Sequence, residues 1–310
     1  MSGTRPLAAL LLMMTMPAAA HAASQGGSYR LWPHGARELA MGGAASLFAP
    51  GLESLFQQPA SLVGMEGWSM GASVERPAGG VELQLASLAA GRGFGHRSPA
   101  LHEQTSSSRY AAALAFQQLG ATLADDSGWG EWTLALGAAW SPRRWLSAGL
   151  RGSYARGGSE DGRDEGQALA FSGGLRAVFL TPGLELGFLA EDIVQRFRWQ
   201  DGPAQRRAPS STFSAALRLP YGASAEILGR WREGSLERYA LGLEWSPWIE
   251  HLSLRGGLIA MRRAESRLCP SAGFGVMHRG LRLDYGFRFE EDQGPGSLHR
   301  LSLLWTGGSL

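Results

Sequence analysis

Leu281-Arg282-Leu283-Asp284-Tyr285-Gly286-Phe287-Arg288-Phe289 sorts into two faces when every second residue is taken. Leu281, Leu283, Tyr285, Phe287 and Phe289 fall on one face; Arg282, Asp284, Gly286 and Arg288 fall on the other. A helix would scatter both sets around its circumference, whereas a β-strand projects successive side chains to opposite sides. The split recurs. Trp132, Leu134, Leu136, Ala138 and Trp140 oppose Glu131, Thr133, Ala135, Gly137 and Ala139. Tyr239, Leu241, Leu243 and Trp245 oppose Arg238, Ala240, Gly242 and Glu244, and Phe213, Ala215, Leu217 and Leu219 oppose Ser214, Ala216 and Arg218.

From Glu66 onward this alternation predicts strands near 66–75, 81–90, 108–118, 130–141, 144–156, 166–180, 183–192, 210–219, 222–232, 236–246, 250–262, 271–279, 281–289 and 297–305. That is fourteen. Their spacing, about 17 residues per strand and connection, suits the ~9–11 residues of a tilted membrane-spanning strand. The links at Ser141-Pro142-Arg143, Thr181-Pro182, Pro220-Tyr221, 246–249 and Gly280 are tight; those at 119–129, 157–165, 193–209, 263–270 and 290–296 are longer and polar. Short turns at one end and long loops at the other characterise an outer-membrane barrel, with the tight turns in the periplasm. Two links break the rule: 91–107 is long where a turn is expected, and 76–80 is short where a loop is expected.

A soluble all-β sandwich or barrel exported to the periplasm is the competing architecture. The aromatic residues decide against it. Trp68, Tyr110, Trp132, Trp140, Trp145, Tyr154, Trp231, Trp245, Tyr285 and Trp305 lie on the apolar face towards strand ends. Such girdles match the two polar boundaries of a bilayer. The opposite face carries small residues and both signs of charge. It includes Arg151, Arg176, Glu185, Arg218, Glu226, Arg230, Arg238, Glu244, Arg255, Arg282 and Asp284. The fold class expected is therefore all-β, a transmembrane antiparallel barrel of about fourteen strands.

Composition narrows the function classes. The 310 residues carry 29 basic and 27 acidic side chains, a net +2, so no polybasic surface for nucleic acid is expected. Every basic residue of the Lys/Arg class is arginine, and asparagine is missing as well, which excludes Ser-His-Asn and Cys-His-Asn sites. Glycine, at 44 residues, is about double its usual ~7% share. Arg5, the apolar run Leu7–Met16 and Ala20-His21-Ala22 read as a cleaved signal peptide over 1–22. Cys269, the single cysteine, excludes an intrachain disulfide and is expected in a loop. His96 and the His102-Glu103 pair are too loosely spaced for a metal site, and His251, His278 and His299 fall in or beside strands. No serine, histidine and acid are tied together, so no enzyme, metal or cofactor is expected. Arg206-Arg207 and Arg262-Arg263 read as solvated loop charge in preference to a lipopolysaccharide contact.

Residues 35–62 do not alternate. They contain Gly35-Ala36-Arg37-Glu38-Leu39-Ala40-Met41-Gly42-Gly43-Ala44, followed by Gln58-Pro59-Ala60-Ser61-Leu62. This stretch resembles the N-terminal signature of the FadL/PorV-like outer-membrane barrels, G-x-R-x-x-x-M-G-G-A and then N-P-A-x-L, with Gln58 in place of asparagine. Leu241–Trp245, Leu254–Gly257, Leu283–Tyr285 and His299–Leu303 are similar to the last strands of the PorV-type branch. The resemblance implies a fourteen-stranded barrel with an N-terminal plug in its lumen. The expected organisation is 1–22 signal peptide, 23–65 periplasmic and plug segment, 66–305 barrel and 306–310 tail. Gly42-Gly43 would let the backbone approach the wall, Pro59 would end the plug, and Arg37 would pair with Glu226 or Glu244.

Two functions follow. One is PorV-like attachment of a secreted client or of secretion machinery; the other is FadL-like passage of a hydrophobic solute. A solute path should be lined by apolar side chains, and the inward positions read as Arg, Glu, Ser, Gly and Ala, which favours the first. Outer-membrane lipid and lipopolysaccharide are expected partners of either.

Overall fold

The computed structural model describes residues 35–47, 51–78, 83–97, 107–122, 128–159, 165–179, 183–199, 208–246, 251–262, 266–289 and 297–307. The signal-peptide reading, the 306–310 tail beyond Gly307 and Arg206-Arg207 lie outside them. Fourteen strands form one closed sheet. They are β1 (Trp68–Ala78), β2 (Leu83–Arg97), β3 (Ser107–Thr122), β4 (Gly128–Arg143), β5 (Leu146–Ser159), β6 (Gly166–Phe179) and β7 (Leu184–Trp199). The circle continues with β8 (Ser210–Arg218), β9 (Ala223–Arg232), β10 (Ser235–Trp245), β11 (Leu252–Arg262), β12 (Ser266–His278), β13 (Leu281–Arg288) and β14 (Ser297–Gly307). Each strand pairs antiparallel with its sequence neighbours, and β1 closes on β14 from Trp68↔Gly307 to Ala78↔Ser297. Closure leaves no sheet edge with open backbone groups.

The alternation of the sequence becomes the alternation of the wall. On β4, Leu134, Leu136 and Trp140 are exposed outward while Glu131, Thr133, Ala135 and Ala139 are buried inward. Two aromatic levels circle the outside. Trp68, Tyr110, Trp140, Trp145, Trp245 and Trp305 mark the end with the tight turns. Phe116, Trp132 and Tyr154 pack together near the other end (5.4 Å between the last two rings), and Phe213 meets Trp231 edge-to-face at 5.6 Å. Among the described residues no helix is long and apolar enough to cross a membrane.

Several connections differ from the sequence reading because strands run further. Strand β2 extends to Arg97, so part of the 91–107 link is strand; Gly91 and Gly93 occupy its inward positions and hide the alternation. Strand β7 extends to Trp199, into the expected 193–209 loop, after an irregularity at Asp192, which has φ 59°. Cys269 is not in a loop: β12 begins at Ser266, and Cys269 is buried inward beside Ala44, Leu228, Ala240 and Ile259.

Candidate functional site

Residues 35–47 and 51–65, the hatch, lie inside the barrel and include three short helical pieces: α1 (Ala36–Ala40), α2 (Ser54–Gln57) and a 310 helix (Pro59–Gly64). Helices of four to six residues are too short to be stable alone. The wall holds them, and it does so in three ways.

The first is a groove of glycines. Inward glycines on adjacent strands face one another as Gly149↔Gly174, Gly242↔Gly257 and Gly273↔Gly286. The hatch backbone lies directly on them. A Cβ on Gly242 would stand 2.7 Å from the Ala44 carbonyl, one on Gly273 would stand 2.6 Å from the Ala40 Cβ, and one on Gly257 would strike the Met41–Gly42 peptide. Gly149 lies against the Pro59–Ala60 peptide in the same manner. On the hatch side, Gly42 and Gly43 take φ values of 65° and 89°, and a Cβ on Gly42 would meet the Leu258 backbone at 2.8 Å. Only glycine permits both that turn and that approach.

The second is apolar. Leu52, Leu55, Leu62, Val63 and Met65 pack on Ala111, Ala113, Ala115, Ala135 and Ala139 of β3 and β4. Met41 and Leu47 pack with Ala216 on β8. Small wall side chains thus receive large hatch side chains.

The third is polar and lies on the opposite half of the lumen. The Arg37 guanidinium forks onto Glu244 (Nε to Oε2 2.8 Å, Nη2 to Oε1 2.7 Å). Glu244 also accepts from Arg255 at 2.5 Å, Arg255 donates to Asp284 at 2.6 Å, and Asp284 accepts from Arg282 at 2.6 Å. Arg282 then reaches Glu53 of the hatch. This chain begins and ends on the hatch and alternates three cations with three carboxylates. Glu226, the other carboxylate considered for Arg37, instead accepts from the Ser46 amide (2.9 Å), the Ser46 hydroxyl (2.6 Å) and the Leu47 amide (3.1 Å). Ser302 accepts from the Ala36 amide at 2.8 Å, and Ser271 donates to the Ala40 carbonyl at 2.9 Å. Gln58 donates to the carbonyls of Leu175 and Phe188, both at 3.2 Å, using the longer arm that distinguishes it from asparagine.

The remaining inward charges form their own sets. Glu185 binds Arg176 at 2.6 Å and Arg218 at 3.0 Å, while Arg230 binds Glu191 at 3.1 Å and Glu237 at 3.3 Å. Arg238 borders a cavity of about 40 Å³ with Glu38, Gly43, Ser46, Gln57 and Glu191, room for about three waters. Gly35 precedes α1 in extended conformation, and Pro59, Ala60 and Leu62 are buried in the 310 helix. Among the described residues no three His, Cys, Asp or Glu side chains gather as a metal site.

Sequence reasoning singled out the charges and Gly42-Gly43 but not the glycine groove, the seryl contacts or Glu53. The signal for the groove was present: glycine at inward positions of neighbouring strands.

These features define a class, a closed fourteen-stranded transmembrane-type barrel filled from within by its own N-terminal hatch. No family model matches the sequence, and no curated protein matches it either. The fold is that of FadL-type channels. The chain is similar to the Pseudomonas putida toluene transporter TodX, with a TM-score of 0.62 and 12% identity over 89% of this chain and 99% of that one. A Pseudomonas aeruginosa FadL homologue gives a TM-score of 0.62 at 10% identity, covering 88% and 98%. The Ralstonia pickettii toluene transporter TbuX gives 0.55 at 11%, covering 87% and 96%. These neighbours are transport channels, and the PorV-type branch gains no support from them.

Proposed function

We propose that the protein resides in a bacterial outer membrane, tight turns towards the periplasm, and admits a hydrophobic solute through a lumen that the hatch closes. The observation that carries this reading is the two-sided lumen. One half is alanine-lined and holds apolar hatch side chains, and the other half holds the hatch by charge and hydrogen bonds. Displacing the hatch exposes an apolar surface to a solute, which supplies the apolar lining that the wall sequence alone lacks. Likeness of fold to toluene transporters and a FadL homologue supports solute passage over client attachment.

Locking the hatch tests it. Cysteines replacing Ala40 and Ser271, on hatch and wall segments in hydrogen-bond contact, would be joined by a short bis-maleimide with a cleavable disulfide spacer in a Cys269→Ala background. Uptake of labelled toluene by cells is expected to fall in the crosslinked form and to return on reduction. Uptake indifferent to reduction would overturn a moving hatch.

A further inference from the structure

Outside the lumen, the outer surface of β5–β7 changes character abruptly. Before the irregularity in β7, the outward positions Leu186, Phe188 and Ala190 are apolar; just beyond it the paired Phe171 and Val194 are still apolar at 48% and 56% exposed, and Leu169, one row further on, is 46% exposed. The β6–β7 register then shifts between Phe171↔Val194 and Gly173↔Ala190, so Ser172 opposes three residues of β7, and the Asp192 amide donates to the Ser172 hydroxyl at 3.3 Å. Beyond Val194 the polarity of β7 inverts. Phe197 turns inward onto Ala155 and Ala168, and Arg196 and Arg198 stand outward, both exposed.

The register gathers these cations. Arg156, Gln167 and Arg198 share one row across β5, β6 and β7, and Tyr154, Leu169 and Arg196 share the next. At ~4.8 Å between strands, Arg156 and Arg198 are about 10 Å apart at the backbone, and Arg196 lies about 7 Å along the strand from Arg198. Arg156 meets Glu165 at 2.6 Å, with both side chains about half exposed (52% and 40%). Among the described residues Arg196 and Arg198 have no carboxylate within ion-pair distance. Tyr154 donates to the Gln167 oxygen at 3.0 Å, and the exposed Gln167 amide also carries a nitrogen able to donate to a phosphate oxygen.

We infer that this surface binds the phosphorylated head group of a lipid A-type glycolipid, with its acyl chains against Leu169, Phe171 and Val194. Guanidinium forks suit phosphate, and Arg196 and Arg198, with Arg156 shared with Glu165, spread over two rows and match a head group carrying more than one phosphate. Phosphatidylglycerol offers one. The site lies at the end of the barrel away from the tight turns and the hatch, where the proposed orientation puts the outer leaflet; the inference rests on that membrane reading.

Binding of purified bisphosphoryl lipid A, its dephosphorylated form and phosphatidylglycerol to the detergent-solubilised full chain, followed by native mass spectrometry, tests it. Arg156→Gln/Arg196→Gln/Arg198→Gln is expected to bind bisphosphoryl lipid A at least tenfold more weakly. Arg92→Gln, at the opposite rim between Trp68 and Phe94, is expected to bind as the parent does. Heat-modifiable migration confirms folding, and Arg198→Gln alone, expected to lose several-fold, covers a triple variant that misfolds. Equal binding by the folded variants, by dephosphorylated lipid A or by phosphatidylglycerol would overturn the site. Recovery of the parent chain in the soluble periplasmic fraction is a separate result, and it would overturn the membrane reading and the site together.

Discussion

Arg300 and Glu75 face each other across the β1–β14 seam, 2.9 Å apart and fully buried. A buried ion pair contributes little net stability, because desolvation offsets the attraction, but removing one partner strands a charge. Arg300→Met is therefore expected to destabilise the barrel by about 3–5 kcal/mol, and Glu75→Leu/Arg300→Met is expected to recover most of that loss. Urea unfolding of the barrel in detergent, followed by tryptophan fluorescence, measures both. The pair lies where the first and last strands meet, so it also sets their register: a slip of one strand by one residue would turn its charge towards lipid and leave the other unpaired in the lumen.

The hatch shows how short elements acquire structure from their surroundings. Its pieces lack the length to form alone, and the wall supplies what they need. Gly257 illustrates the fit, since a Cβ there collides with the Met41–Gly42 peptide. Gly257→Ala is expected to lift the hatch while leaving the sheet intact, because alanine is an ordinary strand residue. The expected result is increased protease cleavage within 35–65 and raised single-channel conductance, with heat-modifiable migration unchanged. Unaltered cleavage and conductance would mean that the wall, not the hatch, yields. The ion-pair chain from Arg37 to Glu53 holds the same element at both ends, which ties α1 and the start of α2 to one half of the lumen.

Over the whole barrel, depth in the bilayer decides what each outward position tolerates. Leu136 is 59% exposed and midway between Trp132 and Trp140 on β4. Leu136→Arg is expected to cost about 2–4 kcal/mol, whereas Leu281→Arg, beside the Gly280 turn, is expected to cost about 0–1 kcal/mol. Folding titrations into lipid vesicles report the difference. Equal costs would place the membrane elsewhere on the barrel. The same depth profile governs the arginine surface of β5–β7, which begins where the apolar band ends.

Period-two patterning by itself determined the number of strands, the inward and outward faces and the end that carries tight turns, because strand geometry maps residue parity onto side-chain direction. Leu281–Phe289 displays this without reference to any partner. It failed where parity was masked or shifted: at Gly91 and Gly93, which have no side chain to show a face, and at Asp192, where extra residues change the phase. The charges that meet the hatch were visible as inward residues, yet the choice of Glu244 over Glu226 for Arg37 depends on where a segment some 200 positions away comes to rest. The same holds for Gly242↔Gly257 and Gly273↔Gly286. Each glycine is local, but the groove exists only once register sets them side by side. Contacts between distant parts of the chain carry no local signal, so only the closed barrel could decide them.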